Sequence, residues 1–191
     1  MDPEKQIKDL EKQDLSGTDL LNMVYGRSNL LAYSQIHTCT RIEDILGDFG
    51  CCIILYQTAS EFEGHWTCLF VSDLDPHHLL FFDSYGLQID TELSRAEFNK
   101  SLHKGKIVPH LKILIDKSNY QVTSNRIPLQ KDRENINTCG RYVATRINNR
   151  NMSNRQYVKF IKGGRGPVEL KIPPYKYRDS DFNATLLSTR Y

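Results

Sequence analysis

Residues 49–83 read FGCCIILYQTASEFEGHWTCLFVSDLDPHHLLFFD, and this stretch decides the fold. Phe49–Tyr56 is a nearly continuous apolar run, the pattern of a strand buried on both faces at the centre of a sheet. His65–Ser72 (HWTCLFVS) and His78–Asp83 (HLLFFD) flank the turn-rich segment Asp73–His77, so the two read as a hairpin. Strands in succession, with helical signals before and after them, predict an α+β domain. Its sheet should be central and mostly antiparallel, with helices around it.

Those helical signals are specific. Gly17–Tyr25 carries Leu20, Leu21, Met23 and Val24 and reads as a short helix. Thr40-Arg41-Ile42-Glu43 is a capping box, in which the Thr hydroxyl and the Glu carboxylate each close a free amide; the helix it opens stops near Gly47. Thr91–Lys104 reads as helical, with Leu93, Phe98 and Leu102 towards one face and Gly105 ending it. Short β segments are expected at Lys112–Ile115 and Asn119–Thr123. Cys139–Ile147 is a second strong helix, with Tyr142, Val143 and Ile147 at helical spacing. Ser153 and Gln156 form another capping box, opening a helix that ends at Gly163-Gly164. The tail, with Pro167, Pro173 and Pro174, is expected to be extended. No linker divides the chain, which reads as one domain over 1–191.

Composition bounds the function. Hydrophobic residues make up 39% and charged residues 25%, ordinary for a protein able to bury a core. No apolar run approaches the roughly 18 residues a membrane span requires. Met1–Asp14 is charged and lacks the apolar core of a secretory signal, so the protein is expected to work inside a cell. The five cysteines, Cys39, Cys51, Cys52, Cys68 and Cys139, are odd in number and irregularly spaced. They suggest neither a disulfide framework nor a zinc site. Cys51, Cys52 and Cys68 lie in apolar runs and read as small buried hydrophobes. Charge is uneven. Residues 1–140 hold 14 Lys+Arg against 20 Asp+Glu, whereas residues 141–191 hold 11 against 3. The basic quarter is either solvated surface or a face for a polyanion or acidic partner.

Cys139 stands apart from the other cysteines. A thiol attacks a carbonyl only as the thiolate, which a neighbouring imidazole or a helix N-terminus favours. Asn137-Thr138-Cys139-Gly140 leads directly into the predicted helix, so the sulfur would sit at its positive end. Gly140 would leave room for a substrate backbone, and the Cys139 amide would face a developing oxyanion. His65 begins a strand, with Gly64 beside it keeping the approach open, and Asp83 ends another. Singly, such a histidine is more often a satisfied structural residue and such a carboxylate a turn cap. Together they can supply a base and the group that orients it.

In chain order, GHW (64–66), an apolar strand, FFDSYG (81–86), a glutamine and NTCGRYV (137–143) resemble the adenain and ubiquitin-like-protein protease superfamily of cysteine peptidases. The resemblance covers roughly residues 45–147, with weaker similarity at Leu15–Val24. In size the chain is most similar to the maturation proteases of adenoviruses, mavirus-like virophages and Polinton-type viruses. The resemblance implies a papain-like cysteine protease fold in circularly permuted order. It implies His65 as general base, Asp83 as its orienter and Cys139 as nucleophile, with Trp66 walling the site and Gly140 lining it. Gln130 would donate its amide to the oxyanion, although it lies nine residues before Cys139, a longer gap than usual. Gln121, Asn137 or backbone donors alone are the alternatives. Thr138 stands where the family often has an acidic or small residue.

No metal or organic cofactor is implied. The implied substrate is a protein, a capsid or other virion protein with glycine-containing cleavage sites, and DNA or a peptide is an implied activator. A monomer in the host cytoplasm or viral factory, or packaged in the virion, is expected. The competing activities are removal of ubiquitin or a ubiquitin-like modifier, acyl transfer, and a binding module that keeps only the fold. Ile161-Lys162-Gly163-Gly164-Arg165 is also similar to the sites such proteases cleave, which implies self-processing after Gly164; a glycine C-cap accounts for the same residues.

Overall fold

The apolar runs between residues 51 and 82 form the middle of a five-stranded sheet covered by helices on both faces. The structure is a computed structural model that describes residues 3–133, 136–163 and 179–191. The strands are β1 (Asn29–Ala32), β2 (Cys51–Gln57), β3 (Gly64–Ser72), β4 (Asp75–Asp83) and β5 (Gln121–Ser124), paired in that order. β2, β3 and β4 are antiparallel, as the hairpin reading requires, while the edge strands β1 and β5 run parallel to their neighbours. The sheet is therefore mixed, antiparallel at its centre and parallel at both edges.

The strands are continuously apolar because each feeds two cores. Cys51, Ile53 and Leu55, with Trp66, Cys68, Phe70, Leu80 and Phe82, point to one face. There they meet α2 (Gly17–Met23), α6 (Cys139–Ile147), α7 (Asn154–Ile161) and α8 (Ser180–Ser188). Cys52, Ile54, Tyr56, Leu69, Leu79 and Phe81 point to the other. They meet a 3₁₀ turn at Tyr33–Thr38, α3 (Ile42–Leu46) and α5 (His110–Asp116). Each large apolar side chain so enclosed contributes about 2 kcal/mol. The three cysteines expected in the core are fully buried.

Several local expectations are corrected. Lys112–Ile115 is not a strand but the middle of α5; Leu111, Leu114 and Ile115 are buried at helical spacing, a pattern that a short apolar run hides. Thr91–Lys104 is not one helix. A 3₁₀ turn at Thr91–Ser94 precedes α4 (Glu97–Leu102), and Leu102 is 51% exposed. Its expected core place is taken by the buried Asn99, whose side chain pairs with the main chain and side chain of Gln57. The cap of α3 also shifts: Asp44, not Glu43, accepts from the Thr40 and Arg41 amides at 2.9 Å each. Two terminal helices escaped the sequence reading, α1 (Pro3–Leu10) and α8. The Ser153–Gln156 box caps α7 as expected, and Gly163 follows with φ +86°, the left-handed conformation of a C-cap glycine. Gly164, its cleavage site and the prolines of the tail lie outside the described residues.

The basic C-terminal quarter is partly internal. Arg146 is fully buried, bonded to the Asn149 and Met152 carbonyls and packed on the Phe70 and Tyr157 rings. Arg141 is 2% exposed. Arg150 reaches the Phe49 and Val71 carbonyls and pairs with Asp73. Arg155, Lys159 and Lys162 remain exposed along α7.

Gly64 closes the end of the sheet where the site lies. A Cβ there would fall 2.0 Å from the Tyr56 carbonyl oxygen, so its missing side chain serves the β2–β3 contact rather than access to His65. Gly64→Ala should cost about 3 kcal/mol, as overpacking against main chain does. The thermal midpoint should fall accordingly, and an unchanged midpoint would mean that β2 and β3 do not close here.

Candidate active site

β3 begins, β4 ends and α6 begins at the same end of the sheet, and this brings His65, Asp83 and Cys139 together. Thr67 pairs with Asp83 across β3 and β4, so His65, two residues earlier in β3, shares a face with the aspartate. His65 Nε2 lies 3.1 Å from Asp83 Oδ1, with the two residues 5% and 1% exposed. The Cys139 side chain comes near enough to the same imidazole to raise its pKa. With Nε2 committed to Asp83, Nδ1 is the nitrogen left for the thiol. Cys139 is partly exposed and is the first residue of α6, so its sulfur sits at the positive end of that helix.

Asp83-Ser84-Tyr85-Gly86 divides its work residue by residue. Asp83 Oδ1 also accepts the Tyr85 amide at 2.7 Å, which fixes the carboxylate plane. Ser84 Oγ donates to Gln130 Oε1 at 2.7 Å, and the Ser84 carbonyl accepts the Leu129 and Gln130 amides. The Tyr85 ring stacks on His65 at 4.6 Å. Gly86 has φ +74°, and a Cβ there would meet the Ile127–Pro128 main chain at 2.8 Å. Asn125 holds Asp83 from the far side: its Oδ1 accepts the Asp83 amide at 2.8 Å and its Nδ2 donates to the Asp83 carbonyl at 2.6 Å. Nothing in the sequence singled out Asn125, because its role depends on the parallel pairing of β5 with β4.

Electrostatics favour a charged imidazole. Burial is the largest single influence on His65 and opposes the charge. The Asp83 carboxylate bonded to the ring and the Cys139 side chain beside it outweigh that opposition, so the ring is pushed up to about 10. Glu92, 4% exposed and with one carboxylate oxygen lacking a hydrogen-bond partner among the described residues, feels the same charge. Burial raises its pKa, while the charge of His65 opposes that rise. The other thiols are all pushed up by burial, Cys51 to about 11.

The remaining expected residues are placed differently from their expected roles. Gln130 is 6% exposed and already spends its amide hydrogens on Tyr85 Oη at 3.3 Å and the Ile136 carbonyl at 3.2 Å. Donation to an oxyanion requires release of one of these. Trp66 points to the face opposite His65 and is 8% exposed, with its Nε1–H on the Leu15 carbonyl at 3.0 Å; it secures the N-terminal segment rather than presenting an open wall. Gly140 is buried too. A Cβ there would meet Leu20 at 3.1 Å and Leu15 at 3.3 Å, so it makes room for α2 and its approach, not for a substrate. A separate cavity of about 670 Å³ runs beside β5, and none of His65, Asp83 or Cys139 lines it.

No protein-family model matches the chain. It is similar to a Sputnik virophage protein, "Uncharacterized protein V9", at 28% identity over 157 residues, which cover 82% of this chain and 88% of that one. The chain is thus related to a virophage protein. Among solved structures it aligns with the central domain of the uncharacterized Lpg1148 protein from Legionella pneumophila. That alignment is 14% identical, covers 94% of this chain and 99% of the other, and has a TM-score of 0.33, too low to carry an argument. No helix among the described residues is long and apolar enough to cross a membrane.

Two measurements test this geometry. Iodoacetamide at neutral pH should modify Cys139 before the other four thiols, read by peptide mass mapping; earlier modification of Cys51, Cys52 or Cys68 would contradict their burial. A raised His65 value means that the ring keeps its proton as pH rises past the ordinary 6.5, towards about 10. Its ring-proton NMR signal should therefore titrate far above neutrality. In Asp83→Asn, which removes the charge, the midpoint should drop.

Proposed function

We propose that the chain is a cysteine endopeptidase of the adenain and ubiquitin-like-protein protease type, with a papain-like fold in circularly permuted order, acting on virion proteins. The observation that carries this reading is the buried His65–Asp83 pair with Cys139 beside it at the N-terminus of α6. Relationship to a virophage protein supports the viral setting.

In the proposed reaction His65 holds the thiol proton and Cys139 Sγ attacks the substrate carbonyl carbon. The carbonyl oxygen becomes an oxyanion. The Cys139 amide, in the first turn of α6, has no acceptor within its helix and is free to stabilise that charge. Gln130 joins it by exchanging its long bond to Tyr85 Oη for the oxyanion. Collapse breaks the C–N bond, and His65 gives its proton to the leaving amine. His65 then takes a proton from water, whose oxygen attacks the thioester, and the acid product leaves as the thiol is restored. Asp83 holds the ring in place throughout.

Coexpression with candidate virophage capsid proteins, followed by intact mass measurement, tests the reading. The wild type should shorten a capsid protein at a glycine-containing site, and Cys139→Ala should not. His65→Ala should match that loss, whereas Asp83→Asn should leave measurable activity. Gln130→Ala should lower kcat on the order of 10²-fold, the cost of one oxyanion donor. An intact capsid protein together with cleavage of a ubiquitin-like fusion would replace this reading with that of an isopeptidase. Acyl transfer from a thioester without hydrolysis would make the chain a transferase.

A further inference from the structure

Two hydrogen bonds beside His65 run in one direction and end on a hydroxyl whose own proton is unused. Ser84 Oγ donates to Gln130 Oε1 at 2.7 Å, and Gln130 Nε2 donates to Tyr85 Oη at 3.3 Å. Nε2 gives its second hydrogen to the Ile136 carbonyl at 3.2 Å. A carbonyl only accepts, so that contact settles which end of the amide faces Tyr85. The Tyr85 hydroxyl is therefore the acceptor in this chain, and its proton has no acceptor among the described residues. Ser84 is fully buried and Gln130 is 6% exposed, whereas Tyr85 is partly exposed, so the chain starts in the core and ends at the surface. The Tyr85 ring stacks on His65 at 4.6 Å, which sets the phenol beside the imidazole. Burial, and next the charge of Cys139, push the phenol up to about 12, so it keeps its proton at neutral pH. Of the charged groups around Tyr85, Cys139 acts on it most strongly.

We propose that Tyr85 is a further catalytic residue, whose hydroxyl donates a hydrogen bond to the oxyanion formed when Cys139 attacks a carbonyl. This rests on reading Cys139 as the nucleophile with Gln130 beside the oxyanion. Donors 3.3 Å apart, as Nε2 and Oη are, both reach one oxygen seated between them at about 2.8 Å. The two differ in what they give up. Gln130 must release a bond to reach the oxyanion, whereas Tyr85 releases none. While Gln130 stays on Oη, the bond fed by Ser84 polarises the phenol O–H outward. When Gln130 turns to the oxyanion, the phenol proton is still there to donate. Such a bond strengthens as charge develops on the oxygen, so it acts on kcat more than on KM.

Two reactions of Cys139 separate this role from the others open to Tyr85. Iodoacetamide alkylates the thiolate at a saturated carbon and expels iodide, so no oxyanion forms. With p-nitrophenyl acetate the thiolate forms a C–S bond at the carbonyl carbon and the carbonyl oxygen takes the charge. The C–O bond then breaks, nitrophenolate leaves and the acetyl group stays on sulfur. Cys139→Ala gives the background of the other four thiols in both assays. Tyr85→Phe keeps the ring on His65 and removes only the hydroxyl. It should slow acylation about tenfold, less than the full cost of an oxyanion donor because the ester is already activated. It should leave alkylation and the His65 titration as in the wild type. The slowing should persist in a Gln130→Ala background, since the donation is direct; should Gln130→Ala not fold, Gln130→Met, which keeps the shape, takes its place. Acylation unchanged or faster in Tyr85→Phe would mean that the phenol only restrains Gln130, and the proposal fails. It also fails if the slowing vanishes without Gln130, or if alkylation slows equally, which would make the hydroxyl structural. A wild-type Cys139 that is alkylated but not acylated would overturn its reading as the nucleophile and this proposal with it. A Tyr85→Phe variant acylated like the wild type overturns the proposal alone.

Discussion

The pairing of Thr67 with Asp83 is the constraint from which the site follows. β3 and β4 each bury both faces, one against α6 and α8 and the other against α3 and α5. Because the side-chain period of a strand is two, a slip of one residue would exchange every side chain between the two cores. It would place Phe82 where Phe81 sits and turn Asp83 away from His65. The cost of such an exchange is many times that of any bond in the site. The histidine and aspartate therefore meet because the phenylalanines cannot move. The 3.1 Å contact is a consequence of core packing, which makes it rigid.

A second constraint brings in the cysteine. All residues from Gly140 to Ile147 are buried, so α6 is enclosed between the sheet and the terminal elements. Both ends of the chain grip its start. The Leu10 carbonyl accepts from Arg141 Nε at 3.2 Å and Nη2 at 2.9 Å, while Arg141 Nη1 reaches Ser188 Oγ. The Asn137 amide and side chain bond to the Glu11 and Lys12 carbonyls. Groups so far apart in sequence contribute nothing until the fold is complete. Cys139 is thus placed by contacts of its helix start with α8 and the segment around α1.

This order explains what could be read from the sequence. The central strands were legible because their apolar runs are long and bounded by turn residues. His65, Asp83 and Cys139 were legible because each lies at the terminus of a strong element, where short motifs are informative. α5 was misread as a strand since HLKILID is apolar enough for either state, and only the second core, fed by Leu111, Leu114 and Ile115, decides it. Asn125 carried no signal, for its role is a pair of side-chain bonds to a distant segment. Gly64 and Gly140 were recognised as significant but for the wrong neighbour. A glycine announces close approach without saying of what.

The site also holds a cost that the fold sustains. Asp83 Oδ2 is buried without a hydrogen-bond partner among the described residues, and an orphaned acceptor of that kind is unfavourable by about 1–3 kcal/mol. A free aspartate side chain would rotate to relieve it. Here rotation is opposed at three points: Oδ1 is tied to the Tyr85 amide and to His65, and Asn125 clamps the Asp83 main chain through both its amide and its carbonyl. The carboxylate so held raises the pKa of the His65 ring through its hydrogen bond and its charge. Restraint by Asn125 and Tyr85 thus keeps Asp83 on the His65 ring, and the stability behind that restraint comes from the two cores that flank the sheet.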